Sequence, residues 1–293
     1  MHAILYHYCW GDVPNEQLTA LPAVTKCTCV DCNKDKLCGG LWLGNQYPDT
    51  PSEEEVFHIK LHIVVSHCNT PLDWMPKYLE GFTNVASIHV ISKCGQVVEG
   101  APYIATTVVV PNVGREGHAF AYYITDILPK LVTATADHDN SIVLFLKDTT
   151  MGKVHQGNGL RRSDLKSLIR TASSVNGFAC GLVHGRGSKM SAYHDVKTLH
   201  QLMIKSYKKG NQDYNNTDRV PFLSPTYNTL GDFYDALNAT SNSDLVQVCY
   251  GGVFAASTER IFEQGMNVWE KLKESLVSLA CNNLHEMFHP EKK

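Results

Sequence analysis

Hydrophobic and polar positions alternate with a period of two in the first regular stretch of the chain. The segment HIKLHIVVSH, at 58–67, places Ile59, Leu61, Ile63 and Val65 on one face and closes in an apolar pair, which predicts a strand entering a core. A short helix and two further strands are predicted next, at 71–82, 85–95 and 106–111. Because strand, helix and strand follow in that order, the pattern predicts a βαβ unit with a parallel sheet.

The spacing of apolar residues then becomes helical. Within 114–131, Phe120, Tyr123, Ile124 and Ile127 recur at helical spacing, and Pro129 is expected to limit that helix. The run SIVLFLKD, at 141–148, is typical of a central strand covered on both faces. The pattern next predicts a helix at 163–172 and a strand at 177–185. It then predicts two strands and a helix that begins at Ser257 within 244–264, and a last helix at 266–279. The predicted fold is α/β, an open, mostly parallel, Rossmann-like sheet flanked by helices.

The N-terminal part of the chain lacks such periods. We predict an irregular, cysteine-rich extension over 1–56 and a single α/β domain over 57–293, with a long surface excursion from Lys189 to Asp244. A cluster of four thiols in the extension could hold a structural zinc ion, could pair as disulfides, or could do neither; its members are Cys27, Cys29, Cys32 and Cys38. The six scattered cysteines are expected to act as small hydrophobes.

Charge and hydropathy narrow the choice of partners and compartment. A formal net charge of −3 and a pI near 6.5 provide no basic field for phosphate backbones, so nucleic acid is not an expected partner. The longest apolar runs are too short to span a bilayer, and the first residues lack the features of a secretory signal. The default expectation is therefore a cytoplasmic protein without a membrane span, and it changes to the secretory pathway if a membrane anchor precedes this sequence.

The loop between the third strand and the long helix carries candidate chemistry. In an open α/β sheet, ligands bind beyond the carboxyl ends of the strands, where helix N-termini expose N–H groups. Gly114 and Gly117 would let a ligand approach the backbone, and Arg115 suits phosphate or carboxylate. A purely structural reading stays open, in which Glu116 offsets the helix dipole and Arg115 pairs with a nearby acid.

Several segments resemble a known family when they are taken in order. The residues VPNVGREGHAFAYYI, IVVSHCNTPLDWM, SIVLFLKD and YGGVFAASTERIFEQ, with the weaker NNLHEMFHP, resemble motifs of the domain-of-unknown-function 3431 family. The resemblance covers roughly Phe57 to Pro290, with a divergent middle. That family is in turn similar to glycosyltransferases of the GT-A type, so the resemblance implies a protein that binds a nucleotide sugar at the carboxyl edge of the sheet and a hydroxyl acceptor.

The resemblance also implies roles for particular residues. Asp148 would lie near the diphosphate or hold Mn²⁺ or Mg²⁺, and Glu116 or His118 would act as general base. The remaining predicted contacts to substrate are Arg115, Lys147, Gly251, Gly252, His285 and Glu286. The segment FLKDTT has a single Asp where GT-A enzymes usually carry Asp-x-Asp, so Lys147 or Arg115 could neutralise the diphosphate instead. The alternative reading is a non-catalytic module that binds glycans or proteins on a transferase-like fold.

Overall fold

The described part of the chain starts close to residue 57, where the α/β domain is predicted to begin. The structure is a computed structural model that describes residues 52, 54–132, 141–150, 162–174, 177–181, 191–195, 229–238, 245–249 and 252–288. The predictions made for residues 1–51, including the four clustered cysteines and their zinc or disulfide alternatives, lie outside the described residues. The division of the chain into an extension and one domain stays a prediction.

The first strands form the predicted parallel unit. A short 3-10 helix at Glu55–His58 precedes β1 (Leu61–His67), and α1 (Trp74–Leu79) connects β1 to β2 (Val85–Ser92). β3 (Ala105–Val109) lies at the outer side of β2, and both the β1–β2 and the β2–β3 pairings are parallel. Every residue of β1 is buried, including His62, whose Nδ1 lies 2.8 Å from the Ser87 hydroxyl. The polar positions of the alternating pattern are therefore covered as well.

The long helix after β3 contains an irregular turn. It begins as α2 (Arg115–Tyr122), continues through a π-helical turn at Tyr123–Ile127 and ends as α3 (Leu128–Leu131). The Leu128 N–H donates to the Tyr123 carbonyl, five residues back. Pro129 lies directly after the π-helical turn, and the helix continues past it to Leu131. The observed end at Leu131 agrees with the predicted range.

The second half of the main sheet gives it a mixed character. β4 (Ile142–Lys147) pairs with β1 in parallel and is followed by a 3-10 turn at Asp148–Thr150. α4 (Arg162–Ala172) leads to β5 (Phe178–Cys180), and β8 (Phe254–Ser257) lies between β4 and β5, antiparallel to both. The order of the six-stranded sheet is β3-β2-β1-β4-β8-β5. The α/β class is confirmed, with a mixed sheet.

The remaining elements are a second small sheet and three helices. β6 (Ser191–Asp195) lies inside the predicted excursion and pairs antiparallel with β7 (Leu245–Cys249). The helices are α5 (Leu230–Ala236), α6 (Thr258–Phe262) and α7 (Met266–Phe288), the last of which continues well beyond its predicted end. The side chain of Ser257 accepts from the Arg260 N–H at the start of α6, as its predicted capping role requires. Across the described ranges, we find no helix long and apolar enough to cross a membrane.

Apolar side chains bury both faces of the central strands. One cluster joins β4 and β8 to α2 and α7, and the other joins β1 and β4 to α1 and α4. In the first cluster, the Phe145 ring stacks on Phe254 with centroids 4.3 Å apart and meets Phe120 edge-on at 5.2 Å. The prediction of a strand covered on both faces at 142–146 is confirmed.

We expect Phe145→Ala to lower the free energy of unfolding by about 3–5 kcal/mol, because the substitution leaves a cavity between Phe120 and Phe254. Urea unfolding of the purified protein measures this change. Val97→Ala is the matched control, since Val97 is 80% exposed and its truncation should alter stability by less than about 0.5 kcal/mol. Equal effects of the two substitutions would contradict the packing described for β4.

Candidate functional site

The carboxylate of Asp148 lies at the carboxyl ends of β1 and β4. Its Oδ2 accepts hydrogen bonds from the backbone N–H groups of Cys68, Asn69 and Thr70, at 2.9, 3.0 and 3.1 Å. Its Oδ1 accepts from the Thr149 N–H at 2.7 Å. Asp148 is only 5% exposed, and four N–H donors compensate for burial of the charge. Asp148 therefore joins the loop after β1 to the end of β4.

A disulfide lies at the same edge of the sheet. Cys68 follows β1 and Cys94 follows β2, and the two are bonded with their Cα atoms 4.8 Å apart. Cys180, at the end of β5, is disulfide-bonded as well. The expectation that these three cysteines act as small hydrophobes is wrong, because parallel pairing of β1 and β2 brings two strand ends 26 residues apart into contact. The ends of β1, β2 and β4 are thus linked to one another.

An ion pair connects α2 to the end of β4. The Lys147 ammonium lies 3.2 Å from a carboxylate oxygen of Glu116, with the two side chains 24% and 10% exposed. Gly114 caps α2 in the left-handed conformation at φ 55°, and a Cβ there would come within 2.8 Å of His118 and Leu276. Glycine at this position therefore lets α2 begin close to α7 and sets where Glu116 points.

His118 lies on another side of the same helix. Residues two apart on a helix are roughly 200° apart, at about 100° per residue, so Glu116 and His118 face different neighbours. His118 lines a pocket with α7 and is 4% exposed. Burial, followed by the charges of Lys93 and Lys273, lowers the pKa of His118 to about 4, although Asp126 opposes the shift. The imidazole is neutral at pH 7 and is a weaker base than a group with pKa near 7.

Gly252 lies at the same edge as Lys147 and Asp148. β8 runs antiparallel to β4, and Phe254 pairs with Phe145, so the residues just before β8 stand level with the end of β4. Gly252 itself is buried and has φ 65°, in the left-handed region. Glu116, Lys147, Asp148 and Gly252 are therefore brought to one edge of the sheet, and His118 is not among them.

The other predicted contacts can be followed only in part. Arg115 is the first residue of α2, and His285 and Glu286 belong to α7, but their side chains lie outside the described residues, as does the whole of Gly251. Nothing in the arrangement therefore tests their predicted roles.

Two buried residues at the strand ends were missed by sequence reasoning. His67 ends β1 at 1% exposure, and Lys93 follows β2 at 6% exposure. Burial lowers the pKa of His67, and the nearby Asp148 charge acts in the opposite direction. The Ser92 hydroxyl lies 3.5 Å from Nδ1 of His67. The sequence offered one signal for them, which is that each stands at the end of a predicted strand. Ligands of open α/β sheets usually bind beyond the carboxyl ends of the strands.

A metal site was predicted at Asp148. In the portions of the chain with described positions, no group of three or more His, Cys, Asp or Glu side chains is arranged to hold a metal ion. Asp148 is a single carboxylate whose two oxygens already accept four N–H hydrogen bonds. Mg²⁺ and Mn²⁺ need open oxygen ligands, so the described surroundings of Asp148 fit such an ion poorly. Metal binding here stays a prediction.

We expect Asp148→Ala to lower the free energy of unfolding by about 1–3 kcal/mol, because it removes the acceptor shared by three partly buried hydrogen bonds of the β1–α1 loop. Amide hydrogen exchange should show lost protection at Cys68, Asn69 and Thr70. Asp73→Ala, at an exposed carboxylate in the same loop, is the matched control. Unchanged protection at the three amides would show that Asp148 does not hold the loop.

We expect stability to fall as the pH is lowered from about 6.5 toward about 4. The folded-state pKa of His118 lies below its ordinary value, so the unfolded chain binds more protons in that window. His118 alone should account for up to roughly 3 kcal/mol, and His67 and His89, whose pKa values are also lowered, should add in the same direction. Urea unfolding across this range should show a smaller loss for His118→Gln. Parallel curves for the two proteins would contradict the assignment.

No family model, curated protein or solved structure matches this chain. The resemblance to the domain-of-unknown-function 3431 family and to GT-A transferases therefore stays a prediction from the sequence. A function must be argued from the groups that meet at the carboxyl edge of the sheet.

Proposed function

We propose that this protein binds a nucleotide sugar in the crevice at the carboxyl edge of the sheet and transfers the sugar to a hydroxyl acceptor, as a GT-A-like glycosyltransferase. The observation that carries the proposal is the Glu116–Lys147 ion pair beside the Asp148 loop clamp. It pairs a cation suited to a diphosphate with a carboxylate suited to proton transfer, at an edge where α/β folds bind ligands.

The strand order supports this placement of the ligand. β3, β2, β1 and β4 are parallel, and the chain builds outward from β1 to β3 before β4 returns to the other side of β1. The order therefore reverses between β1 and β4, and ligands of open α/β sheets lie outside the strands at such a point. A Rossmann-like arrangement of these four strands is part of the proposal, and β8 and β5 add the antiparallel pairings.

The positive charge of the crevice comes from side chains and from a helix end. The Lys147 ammonium is 24% exposed, which leaves it accessible to a phosphate oxygen. The first N–H groups of α2 add a favourable site for an anion, and Arg115 would contribute a guanidinium there. The diphosphate is neutralised in this proposal by basic groups, and no step depends on a metal ion.

The transfer step uses Glu116. The acceptor oxygen forms a bond to the anomeric carbon of the sugar while the bond from that carbon to the diphosphate oxygen breaks. The electron pair of the broken bond leaves with the nucleoside diphosphate, and the acceptor proton passes to Glu116. Lys147 contacts Glu116 before the reaction and would face the charge that develops on the leaving group. Gly252 lies where backbone can approach the sugar closely.

A second candidate is a non-catalytic module that binds glycans or proteins through the same edge. The engagement of both Asp148 oxygens by backbone N–H groups favours it, because the carboxylate then serves the loop and not a reaction. The two candidates differ in whether a nucleotide sugar binds at all.

The Cys68–Cys94 disulfide is relevant to the cellular compartment in which the protein is found. Disulfides persist in oxidising surroundings and are rare in the cytosol. The Cys68–Cys94 bond therefore supports the secretory pathway over the cytoplasmic default.

The proposal predicts thermal stabilisation by one class of nucleotide sugar. Purified protein is heated with UDP-, GDP-, ADP- or CMP-sugars, each with and without Mn²⁺, because a ligand at about 100 times its Kd contributes roughly 2.7 kcal/mol. We expect a shift with one nucleotide, independent of Mn²⁺, that is lost in Lys147→Met. Lys60→Met is the matched control, since Lys60 precedes β1 at the opposite edge of the sheet.

Three outcomes separate the candidates. A shift that survives in Lys147→Met would remove Lys147 from the diphosphate site, and a shift that requires Mn²⁺ would restore the metal to it. No shift with any nucleotide sugar, in protein that melts cooperatively, would favour the non-catalytic module.

A further inference from the structure

A pocket lies between α2 and α7, beyond the end of β3. Its volume is about 440 Å³, which is within the range of small-molecule sites. The residues that line it come from the segment after β3, from α2 and from α7: Val110, Pro111, His118, Tyr122, Lys273, Glu274 and Val277. Glu116, Lys147, Asp148 and Gly252, which meet at the proposed nucleotide-sugar site, are not among the lining residues.

The walls of this pocket are almost entirely apolar, and Lys273 and Glu274 are the charged residues among those that line it. Val110, Pro111 and Val277 supply aliphatic surface, and Tyr122 supplies an aromatic ring. His118 contributes an imidazole that is more than nine-tenths buried. An apolar cavity with a small number of placed polar groups is the usual form of a small-ligand site.

Lys273 is held in a defined position at the pocket. Its ammonium lies 2.6 Å from a carboxylate oxygen of Asp126 and 6.0 Å from the centroid of the Tyr122 ring. An ammonium has three donors, and the contact with Asp126 uses one of them. Thr125 also donates to Asp126, at 2.5 Å, which fixes the carboxylate that anchors Lys273. A ligand would therefore meet a cation that is already oriented.

Charged groups of both signs surround the His118 ring at this pocket. Among the described residues, the charges that act on the His118 ring are those of Lys93 and Lys273 on one side and Asp126 on the other. Burial is the largest cause of the lowered pKa of His118, the two cations lower it further, and Asp126 raises it. Glu274, the one acid among the lining residues, is exposed, so solvent screens its charge.

We propose that this pocket binds a small carboxylic acid with an apolar body, such as an arylalkanoate or a short branched alkanoate. The carboxylate accepts a hydrogen bond from the Lys273 ammonium. The apolar body packs against Tyr122, Val110 and Val277. The site is independent of the proposed transferase activity, because it uses a different side of α2 from the Glu116–Lys147 pair.

The test titrates the full chain with phenylacetate and follows binding by saturation-transfer NMR. Phenethyl alcohol, which has the same body without the charge, and acetate, which has the charge without the body, are the comparison probes. We expect phenylacetate to bind and both comparison probes to bind at least about tenfold more weakly, because a hydrogen bond to a charged group and the buried ring each contribute.

Substitutions locate the binding. Lys273→Met keeps the aliphatic stem and should weaken phenylacetate binding by about tenfold to a hundredfold. Lys271→Met, at an exposed position on the same helix, is the matched control and should leave binding unchanged. Glu274→Gln removes an exposed anion and should strengthen binding, whereas Val277→Phe fills the pocket and should abolish it. Thermal unfolding of each variant confirms that it is folded.

The outcomes either support or overturn the proposal. Weaker binding in Lys273→Met together with loss of binding in Val277→Phe supports it. Equal binding of phenylacetate and phenethyl alcohol, binding that survives in Val277→Phe, or no binding of phenylacetate to the unmodified protein overturns it. Since Glu274→Gln does not break the Lys273–Asp126 pair, it tests the charge argument even if Lys273→Met does not fold.

Discussion

The carboxyl edge of the sheet depends on the hydrogen bonds to the Asp148 carboxylate. A buried carboxylate without partners would cost several kcal/mol, and here four backbone N–H groups compensate for its desolvation. The same bonds hold the β1–α1 loop against the end of β4, while the Cys68–Cys94 disulfide holds the end of β1 to the segment after β2. Three neighbouring strands therefore end in fixed backbone, and the side chains at that edge project from a rigid support.

The α2 helix separates two different chemical environments. On one side, Glu116 meets Lys147 at the end of the central strand. On another side, His118 is buried against α7, near Lys273. Gly114 makes both possible, because a side chain at that position would collide with Leu276 and push α2 away from α7. The first turn of α2 thus contributes Glu116 to the contact with Lys147 and His118 to the pocket beside α7.

Sequence reasoning succeeded where structure is local and failed where it depends on distant partners. The apolar run of β4 and the helical spacing of α2 were sufficient because each pattern reports its own burial. The antiparallel insertion of β8, the Cys68–Cys94 bond and the acceptor role of Asp148 join segments from 26 to more than 100 residues apart, and no periodicity records them. β6 was missed because SAYHD lacks an apolar alternation strong enough to distinguish it from a loop.

The occupied loop after β1 also constrains where a phosphate could bind. Successive N–H groups that converge on one point form an anion site, and at Cys68, Asn69 and Thr70 the anion is the protein's own Asp148. A ligand phosphate could enter that loop only by displacing a carboxylate that is bound from the same chain. Positive groups lie instead at Lys147 and at the N-terminus of α2, so the proposed diphosphate would lie near them and away from the β1–α1 loop.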